Sequence, residues 1–211
     1  MSNKFKIIYT KNIRYDAIKA FVTNDSHTEY VICGPAFRYT QVLLAMCCNE
    51  VGKKLHIYTA RLPYDSTIDL TKQYKCVTLN DQYQSLQDAW VDARKCAEDK
   101  FLWTDNHIPF MVDYLRIPSM RTCWAPFGTG PMLTALLQAN PNAVFKCVDM
   151  HFHPGLNMAK FKQSDHKRIL STVAWQEIPR FTIPYHTNQN YEGRIWYYAS
   201  KKGLQGEYLI A

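Results

Sequence analysis

The fold of this chain is decided by the stretch Arg121-Thr-Cys-Trp-Ala-Pro-Phe-Gly-Thr-Gly-Pro131 and by the residues after it, as far as Asp149. The apolar run 121–125 predicts a β-strand, the glycine-rich segment 126–131 a turn, 132–138 a helix and 143–148 a second strand. A strand, a tight turn, a helix and a strand at this spacing are typical of a parallel sheet, because parallel neighbours need a long crossover between them.

The same alternation precedes this stretch. Strands are predicted at 29–33, 55–59 and 75–79, and helices at 39–51 and 85–100. Ser85, with Asp88 three residues later, is typical of a helix N-cap, and Gly52 of a helix C-terminus. We therefore predict an α/β fold with a mainly parallel sheet flanked by helices. It would be a single domain over residues 1–211, with a small lobe formed by about residues 31–110.

Ligands of such sheets bind beyond the carboxyl ends of the strands. Gly34 follows the strand at 29–33, the loop around Gly128 follows the strand at 121–125, and Asp149 ends the strand at 143–148. We expect all three to lie along one edge of the sheet.

The composition is that of a folded protein. Hydrophobic residues make up 47% and charged residues 20% of the 211 residues, which excludes a disordered or acidic solvating chain. No run approaches the ~18 apolar residues of a membrane span, and the N-terminus lacks the apolar core of a secretory signal. We expect a cytoplasmic protein with no membrane partner.

The cysteines indicate a reducing compartment. Their number is odd (seven), their spacing is irregular, and no C-x-x-C occurs. We expect free thiols acting as small core residues, rather than a disulfide framework or a zinc site.

The turn Gly128-Thr129-Gly130 is a candidate anion site. A glycine turn that leads into a helix directs backbone N–H groups and the positive helix end at one point, where a phosphate can bind. It lacks the Lys-Ser/Thr of a P-loop, and Leu133 departs from G-x-G-x-x-G. A plain tight turn is the alternative.

Asp149, His151 and His153 form a second constellation. On an extended segment, alternate residues share a face, so the three side chains could converge on a metal. The other histidines are scattered along the chain and supply no second cluster. We interpret these as surface histidines and predict no metal site.

Positive charge is spread over three segments. Lys+Arg number 25 and Asp+Glu 18, a net charge of +7, concentrated in residues 4–14, 160–168 and 194–202. The last two combine basic and aromatic residues, as nucleic-acid-binding faces do. A solvated basic surface is the alternative, and the choice depends on whether the three segments share a face.

Two families have a comparable glycine turn. The segment 125–130, followed by a helix, a strand and Asp149, resembles the first motif of S-adenosylmethionine (SAM)-dependent methyltransferases. That resemblance implies that Asp149 holds the ribose hydroxyls of SAM. It covers about 25 residues of the chain.

A resemblance to the fold-type-II pyridoxal-phosphate enzymes, the tryptophan synthase β-like superfamily, extends over roughly 150 residues. Lys11-Asn-Ile-Arg14 is similar to the segment that bears the cofactor lysine. The stretch from Val31 to Ile57 is similar to the substrate-loop unit, and Phe127-Gly-Thr-Gly-Pro131 occupies the place of the phosphate cup. The segment 191–196 is similar to a late segment of small members of the family.

The resemblance implies a three-layer fold, pyridoxal 5′-phosphate as cofactor and a lyase or related activity on an amino-acid-like amine. Lys11 would be the catalytic lysine. The cofactor would be held by Asn12, Gly128, Thr129 and Gly130, and the substrate by Tyr39, Thr40 and Gln41. The chain departs from the family pattern at three places: Asn12 stands where the family has its lysine, Ala36 and Phe37 replace Ser-Asn, and Pro131 replaces the last glycine of the cup.

The family includes small virus-encoded members, for which the substrate is held to be an amino acid attached to a modified DNA base. The resemblance to a small, diverged and virus-encoded member implies DNA modification and an amine linked to a nucleic-acid base as one substrate class. Three functions stay open from the sequence: a pyridoxal-phosphate lyase, a SAM-dependent methyltransferase, and a non-catalytic protein that binds nucleic acid or a phosphorylated ligand.

Overall fold

The structure is a computed structural model that describes residues 5–8, 10–36, 39–60, 67–104, 109–127, 131–149, 169–172 and 192–210. Its strands are β1 (Lys6–Ile8), β2 (Glu29–Cys33), β3 (Lys54–Ala60), β4 (Val77–Tyr83), β5 (Phe101–Trp103), β6 (Thr122–Phe127), β7 (Val144–Asp149), β8 (Ile169–Thr172) and β9 (Tyr208–Ile210). Its α-helices are α1 (Thr10–Asn24), α2 (Tyr39–Val51), α3 (Leu86–Cys96), α4 (Pro109–Val112), α5 (Pro131–Ala139) and α6 (Glu192–Lys202). Short 3-10 helices cover Ile68–Gln73 and Asp113–Leu115. No helix in these ranges combines the length and the apolar character needed to cross a membrane.

The chain divides into two compact units. One is Asn12–Phe110, and the other combines Met1–Lys11 with Met111–Ala211. The boundary falls inside α1, between Lys11 and Asn12. Each unit contains one sheet: a four-stranded sheet of order β4-β3-β2-β5 and a five-stranded sheet of order β1-β9-β6-β7-β8. That the units act as a single domain stays a prediction.

All the described strand pairings are parallel, as the alternation of strands and helices predicts. A parallel sheet is covered on both faces, so its strands read as continuous apolar runs. In β2, Tyr30 and Ile32 pack with α1 and α2 on one face, while Val31 and Cys33 pack with α3 on the other. The four-stranded sheet is therefore the middle layer of three, which confirms the predicted fold class.

The five-stranded sheet is assembled from distant parts of the chain. β1, near the N-terminus, pairs with β9, near the C-terminus, and β9 pairs with β6. Consecutive residues of β6 are all buried, namely Cys123, Trp124 and Ala125. The apolar side of α6 is buried through Ile195, Tyr198 and Ala199.

Most of the predicted elements are confirmed, with shifts at their ends. The strand expected at 75–79 is displaced: β4 begins at Val77 and continues to Tyr83, because the polar residues after Leu79 still pair with β3. Ser85 caps α3 by accepting a hydrogen bond from the backbone N–H of Asp88 at 3.1 Å. Gly52 follows α2 with φ +73°, the left-handed conformation that favours glycine.

All seven cysteines are free thiols, as the spacing predicted. Five are buried and two are half-buried. They pack as small apolar residues in the cores of both units.

Candidate active site

The strand before the predicted anion loop, β6, ends at the carboxyl edge of the five-stranded sheet. Residues 128–130 join Phe127, the last residue of β6, to α5, although the loop itself lies outside the described residues. Asp149 ends β7 and is the register partner of Phe127. The structure therefore places the backbone of Asp149 beside the point where the loop begins, and Asp149 shares a sheet edge with the loop as predicted.

Pro131 is the first residue of α5. The first N–H groups of an α-helix have no partner within the helix, so a proline at this position removes a donor that the helix does not use. The N–H groups of the next two residues, Met132 and Leu133, also lack an intrahelical acceptor. The departure at Pro131 costs the candidate cup one donor and is compatible with the helix that follows it.

Lys11 comes shortly after the carboxyl end of another strand of this sheet. β1 ends at Ile8, α1 begins at Thr10, and Lys11 is the second residue of that helix. Because β1, β9, β6 and β7 are all parallel, β1 ends at the same edge as β6 and β7. One strand, β9, separates β1 from β6, so their axes lie about 10 Å apart at ~4.8 Å per step.

The structure describes the backbone of Lys11 but not its side chain. The neighbouring Asn12 is exposed. The lysine and the start of the glycine loop therefore share one edge of one sheet, a relationship that spacing in the sequence could not give.

The predicted substrate residues open helix α2 in the other unit. Tyr39 and Thr40 are half-buried, and Gln41 is completely buried. Nε2 of Gln41 donates a hydrogen bond to the backbone oxygen of Gly34 at 3.2 Å, which ties the helix to the residue that follows β2. Oε1 of Gln41 has no hydrogen-bond partner among the described residues.

An unpaired buried amide oxygen is costly, by about 1–3 kcal/mol. A ligand with an N–H or O–H donor would satisfy it. Within the part of the chain that the structure describes, Oε1 of Gln41 is therefore a buried acceptor with unused hydrogen-bonding capacity.

One expectation about this edge is wrong. Gly34 follows β2, which belongs to the four-stranded sheet, whereas the Gly128 loop and Asp149 belong to the five-stranded sheet. The sequence shows successive strands and helices but not which strands pair. The three residues therefore do not lie along a single sheet edge.

Burial makes the thiols of Cys47 and Cys123 poor nucleophiles. Burial raises the pKa of Cys47 to about 12 and the pKa of Cys123 well above its usual value. A thiol that stays protonated is a poor nucleophile and a poor metal ligand. Within the described ranges, no three His, Cys, Asp or Glu side chains are grouped to hold a metal ion, while His151 and His153 lie outside those ranges.

The structure also contains a buried charged cluster that the sequence reasoning missed. Glu207 is buried beside β9, where its carboxylate accepts hydrogen bonds from Lys146 Nζ at 2.6 Å and from Trp124 Nε1 at 2.7 Å. Lys146 is the one charged residue in the otherwise apolar run 143–148, and a charge in a predicted buried strand indicates a buried partner of opposite charge. Trp124 and Lys146 are paired in the middle of β6 and β7, three residues before the strand ends at Phe127 and Asp149.

Comparisons with known proteins support the fold. No protein-family model matches the chain, and no curated protein matches its sequence. Its structure is similar to a threonine deaminase from T.th., with a TM-score of 0.50 and 16% identity over 65% of this chain and 49% of that one. It is also similar to the processed form of threonine deaminase isoform 2 from Solanum lycopersicum, with a TM-score of 0.52 and 11% identity over 94% of this chain and 57% of that one.

A third similar structure is the serine racemase of Dictyostelium discoideum, with a TM-score of 0.50 and 12% identity over 65% of this chain and 50% of that one. The chain spans about half the length of these three proteins (49–57%). Identities this low show a shared fold and nothing finer. The fold is the tryptophan synthase β-like α/β arrangement that the sequence predicts.

Proposed function

We propose that the chain is a pyridoxal-phosphate-dependent enzyme of the lyase type, acting on an amino-acid-like amine. The observation that carries the proposal is the common edge of β1 and β6, which brings Lys11 and the start of the Gly128 loop to the same side of one sheet. The tryptophan synthase β-like fold supports it.

Lys11 would be the residue to which the cofactor is attached. It stands in the first turn of the 15-residue helix α1. A neutral amine is the form that reacts with the aldehyde of the cofactor. Asn12 is the next residue and would lie beside the attachment point.

Gly128, Thr129 and Gly130 would hold the cofactor phosphate. The strand before this loop and the helix after it are both described, and the three residues span the gap between them. Their backbone N–H groups, with those of the first turn of α5, would supply donors to the phosphate oxygens, and the Thr129 hydroxyl a further one.

Tyr39, Thr40 and Gln41 would contact the substrate. The unpaired Oε1 of Gln41 would accept a hydrogen bond from an N–H or O–H of the ligand. The N–H groups in the first turn of α2 lack intrahelical partners and suit a carboxylate. An amino acid carries both kinds of group. Bound pyridoxal phosphate would supply the electron sink at the α-carbon.

The test is attachment of the cofactor. The purified protein, incubated with pyridoxal phosphate, should develop the visible absorption band of the bound cofactor. Reduction with borohydride, followed by peptide mass spectrometry, should find the pyridoxyl group on the peptide that contains Lys11. The band should be absent in Lys11→Ala and retained in Lys19→Ala, a matched variant in the same helix.

Two outcomes would contradict the proposal. A pyridoxyl group on another lysine would remove Lys11 from the site. No absorption band at saturating cofactor, in a protein whose circular dichroism shows it folded, would remove the cofactor altogether.

Within this function, we further propose an amine linked to a nucleic-acid base as one class of substrate. The link to a modified nucleic-acid base rests on the family resemblance. Amines of increasing size, from free amino acids to an amino acid attached to a pyrimidine, would show which one perturbs the absorption band.

The methyltransferase alternative keeps one supporting observation, because Asp149 ends the strand beside the glycine loop. The tryptophan synthase β-like fold favours the pyridoxal enzyme instead. Calorimetry with SAM distinguishes them: binding that weakens in Asp149→Ala would support the methyltransferase.

A further inference from the structure

The amino-terminal edge of the five-stranded sheet, opposite the candidate active site, carries basic side chains without acidic partners among the described residues. Lys6 begins β1, and Arg121 directly precedes β6. Lys201 and Lys202 end α6, a few residues before β9. All four are exposed.

Contacts within this unit hold the four residues near one another. Lys6 of β1 and Cys123 of β6 are both register partners of Tyr208 in β9, so they lie level with each other, two strands apart. Arg121 precedes Cys123 by two residues, just before β6 begins. The ammonium of Lys6 lies 5.2 Å from the centre of the Tyr208 ring. Phe5 packs on Trp196 of α6 with 5.7 Å between ring centres, and this brings β1 against the helix that carries Lys201 and Lys202.

The charge on this edge is not neutralised by the carboxylates whose side chains the structure describes in this unit, which are those of Asp113 and Glu207. Asp113 pairs with Arg116 at 3.4 Å, and Glu207 pairs with Lys146 at 2.6 Å. The four basic residues of the edge are left with no ion pair to a described residue.

The other unit has no positive excess, since its described residues include nine Lys and Arg and ten Asp and Glu. Five of its lysines are paired with carboxylates at 2.6–3.3 Å, and they are Lys19, Lys54, Lys72, Lys95 and Lys100. The positive excess of the chain is therefore concentrated, within the described residues, on one edge of one sheet. Of the basic segments found in the sequence, 4–14 contributes Lys6 to this edge and 194–202 contributes Lys201 and Lys202, while 160–168 lies outside the described residues.

We propose that this edge binds the phosphodiester backbone of nucleic acid. A row of exposed cations along a sheet edge matches a polymer that carries one negative charge per about 1.7 Å of duplex. An anionic membrane fits less well, since insertion needs a broad apolar face. Among the described side chains of this edge, Leu204 alone is a large exposed apolar residue, at 67%.

The test compares two variants with the same net charge. The edge variant is K6Q/R121Q/K201Q/K202Q, and the control is K54Q/K72Q/K75Q/K95Q, whose four lysines are exposed and lie in the other unit. Each removes four positive charges. The readout is fluorescence anisotropy of a labelled DNA duplex over a series of salt concentrations.

We expect the unmodified protein to bind with a steep salt dependence. The edge variant should bind DNA about 100-fold more weakly at ~0.1 M salt. The slope of the logarithm of affinity against the logarithm of salt concentration should be shallower by about 3, because each lost phosphate contact removes nearly one unit of slope. The control should bind within about threefold of the unmodified protein.

Equal losses in the two variants would overturn the proposal, since net charge alone would then explain binding. So would absence of DNA binding at low salt. Binding to phosphatidylserine vesicles that exceeds binding to DNA, and that falls in Leu204→Ala, would assign the edge to a membrane instead. The Lys11→Ala variant should bind DNA normally, so this test is independent of the proposed enzyme activity.

Discussion

Trp124 and Glu207, 83 positions apart in the chain, are joined by a buried hydrogen bond of 2.7 Å from the indole Nε1 to Oε2 of the carboxylate. The other carboxylate oxygen accepts from Lys146 at 2.6 Å, and the backbone N–H of Leu204 donates to Oε2 at 3.0 Å. These bonds fix the turn between α6 and β9 against the middle of the sheet. They hold the short strand β9 in place between β1 and β6.

Glu207→Gln should destabilise the protein at neutral pH by about 1–3 kcal/mol, because the neutral amide leaves the Lys146 ammonium without its counter-charge. Burial alone would raise the pKa of Glu207, but hydrogen bonds from Lys146 and Trp124 outweigh it, and the pKa lies below its usual value. The folded form therefore releases this proton more easily than the unfolded chain does.

The stabilisation from Glu207 is consequently present above the pKa of the unfolded chain and is lost as the pH falls through the lower pKa of the folded form. Urea unfolding between about pH 7 and pH 3 should show that the difference in free energy of unfolding between the unmodified protein and Glu207→Gln decreases as the pH falls. The exposed Glu98→Gln is the control. A stability difference that increases in acid would contradict the lowered pKa of Glu207 in the folded protein.

Asn140 joins the end of α5 to the segment before β6. Its Oδ1 accepts from the N–H of Ile117 at 2.8 Å, and its Nδ2 donates to the backbone oxygens of Leu115 and Leu136 at 2.9 and 3.1 Å. The side chain is buried, at 5% exposure. Asn140→Ala should therefore cost about 2–4 kcal/mol, since buried backbone groups lose their partners.

Asn140→Asp should cost more than Asn140→Ala at neutral pH, because a carboxylate would face two carbonyl oxygens. Acidification should restore part of the loss, since protonation removes the buried charge. Chemical denaturation at two pH values measures both effects. The exposed neighbour Asn142→Ala should change the stability by less than about 0.5 kcal/mol.

Gly203 has no room for a side chain. A Cβ at this position would lie 2.5 Å from Cε1 of Phe5 and 2.7 Å from the backbone oxygen of Ala199. Gly203→Ala should therefore destabilise the protein by about 1–3 kcal/mol through overpacking, as measured by thermal unfolding. The exposed Gln205→Ala should have little effect.

A second variant shows whether Phe5 or the backbone oxygen of Ala199 opposes a side chain at position 203. If Phe5 is the obstacle, Phe5→Leu should reduce the additional cost of Gly203→Ala in a double-mutant cycle. An unchanged cost would assign the whole effect to the backbone oxygen of Ala199.

Ser85 caps α3 through its side-chain oxygen. Ser85→Ala should lower the free energy of unfolding by about 1 kcal/mol. Ser85→Thr should retain most of the stability, because its hydroxyl can accept from the N–H of Asp88 and donate to the Asp88 carboxylate as Ser85 does. Denaturant unfolding followed by circular dichroism provides the measurement. Equal stability of all three proteins would show that the cap contributes nothing.

Local features of the sequence were sufficient to predict the strand–helix units. The two strands and the helix within 121–149, the cap at Ser85 and the end of α2 at Gly52 all follow from interactions within a few residues. The free cysteines were predictable from their spacing, and the structure confirms them. The candidate site residues at Tyr39, Thr40 and Gln41 were nominated from the sequence, but the buried and unpaired Oε1 of Gln41 was not.

The pairing of strands was decided only by the tertiary structure. β1 and β9 have three residues each, too few for an apolar pattern, and they pair across almost the whole length of the chain. This pairing places the backbone of Lys11 on the same sheet edge as Phe127, the residue before the Gly128 loop, and it gives Glu207 its buried partners. It also assigns Gly34 to a different sheet. Which segments become strands and helices could be predicted from the sequence, because local hydrogen bonding and side-chain periodicity fix them. Which strands become neighbours depends on burial between residues far apart in the chain, and only the folded structure decides that.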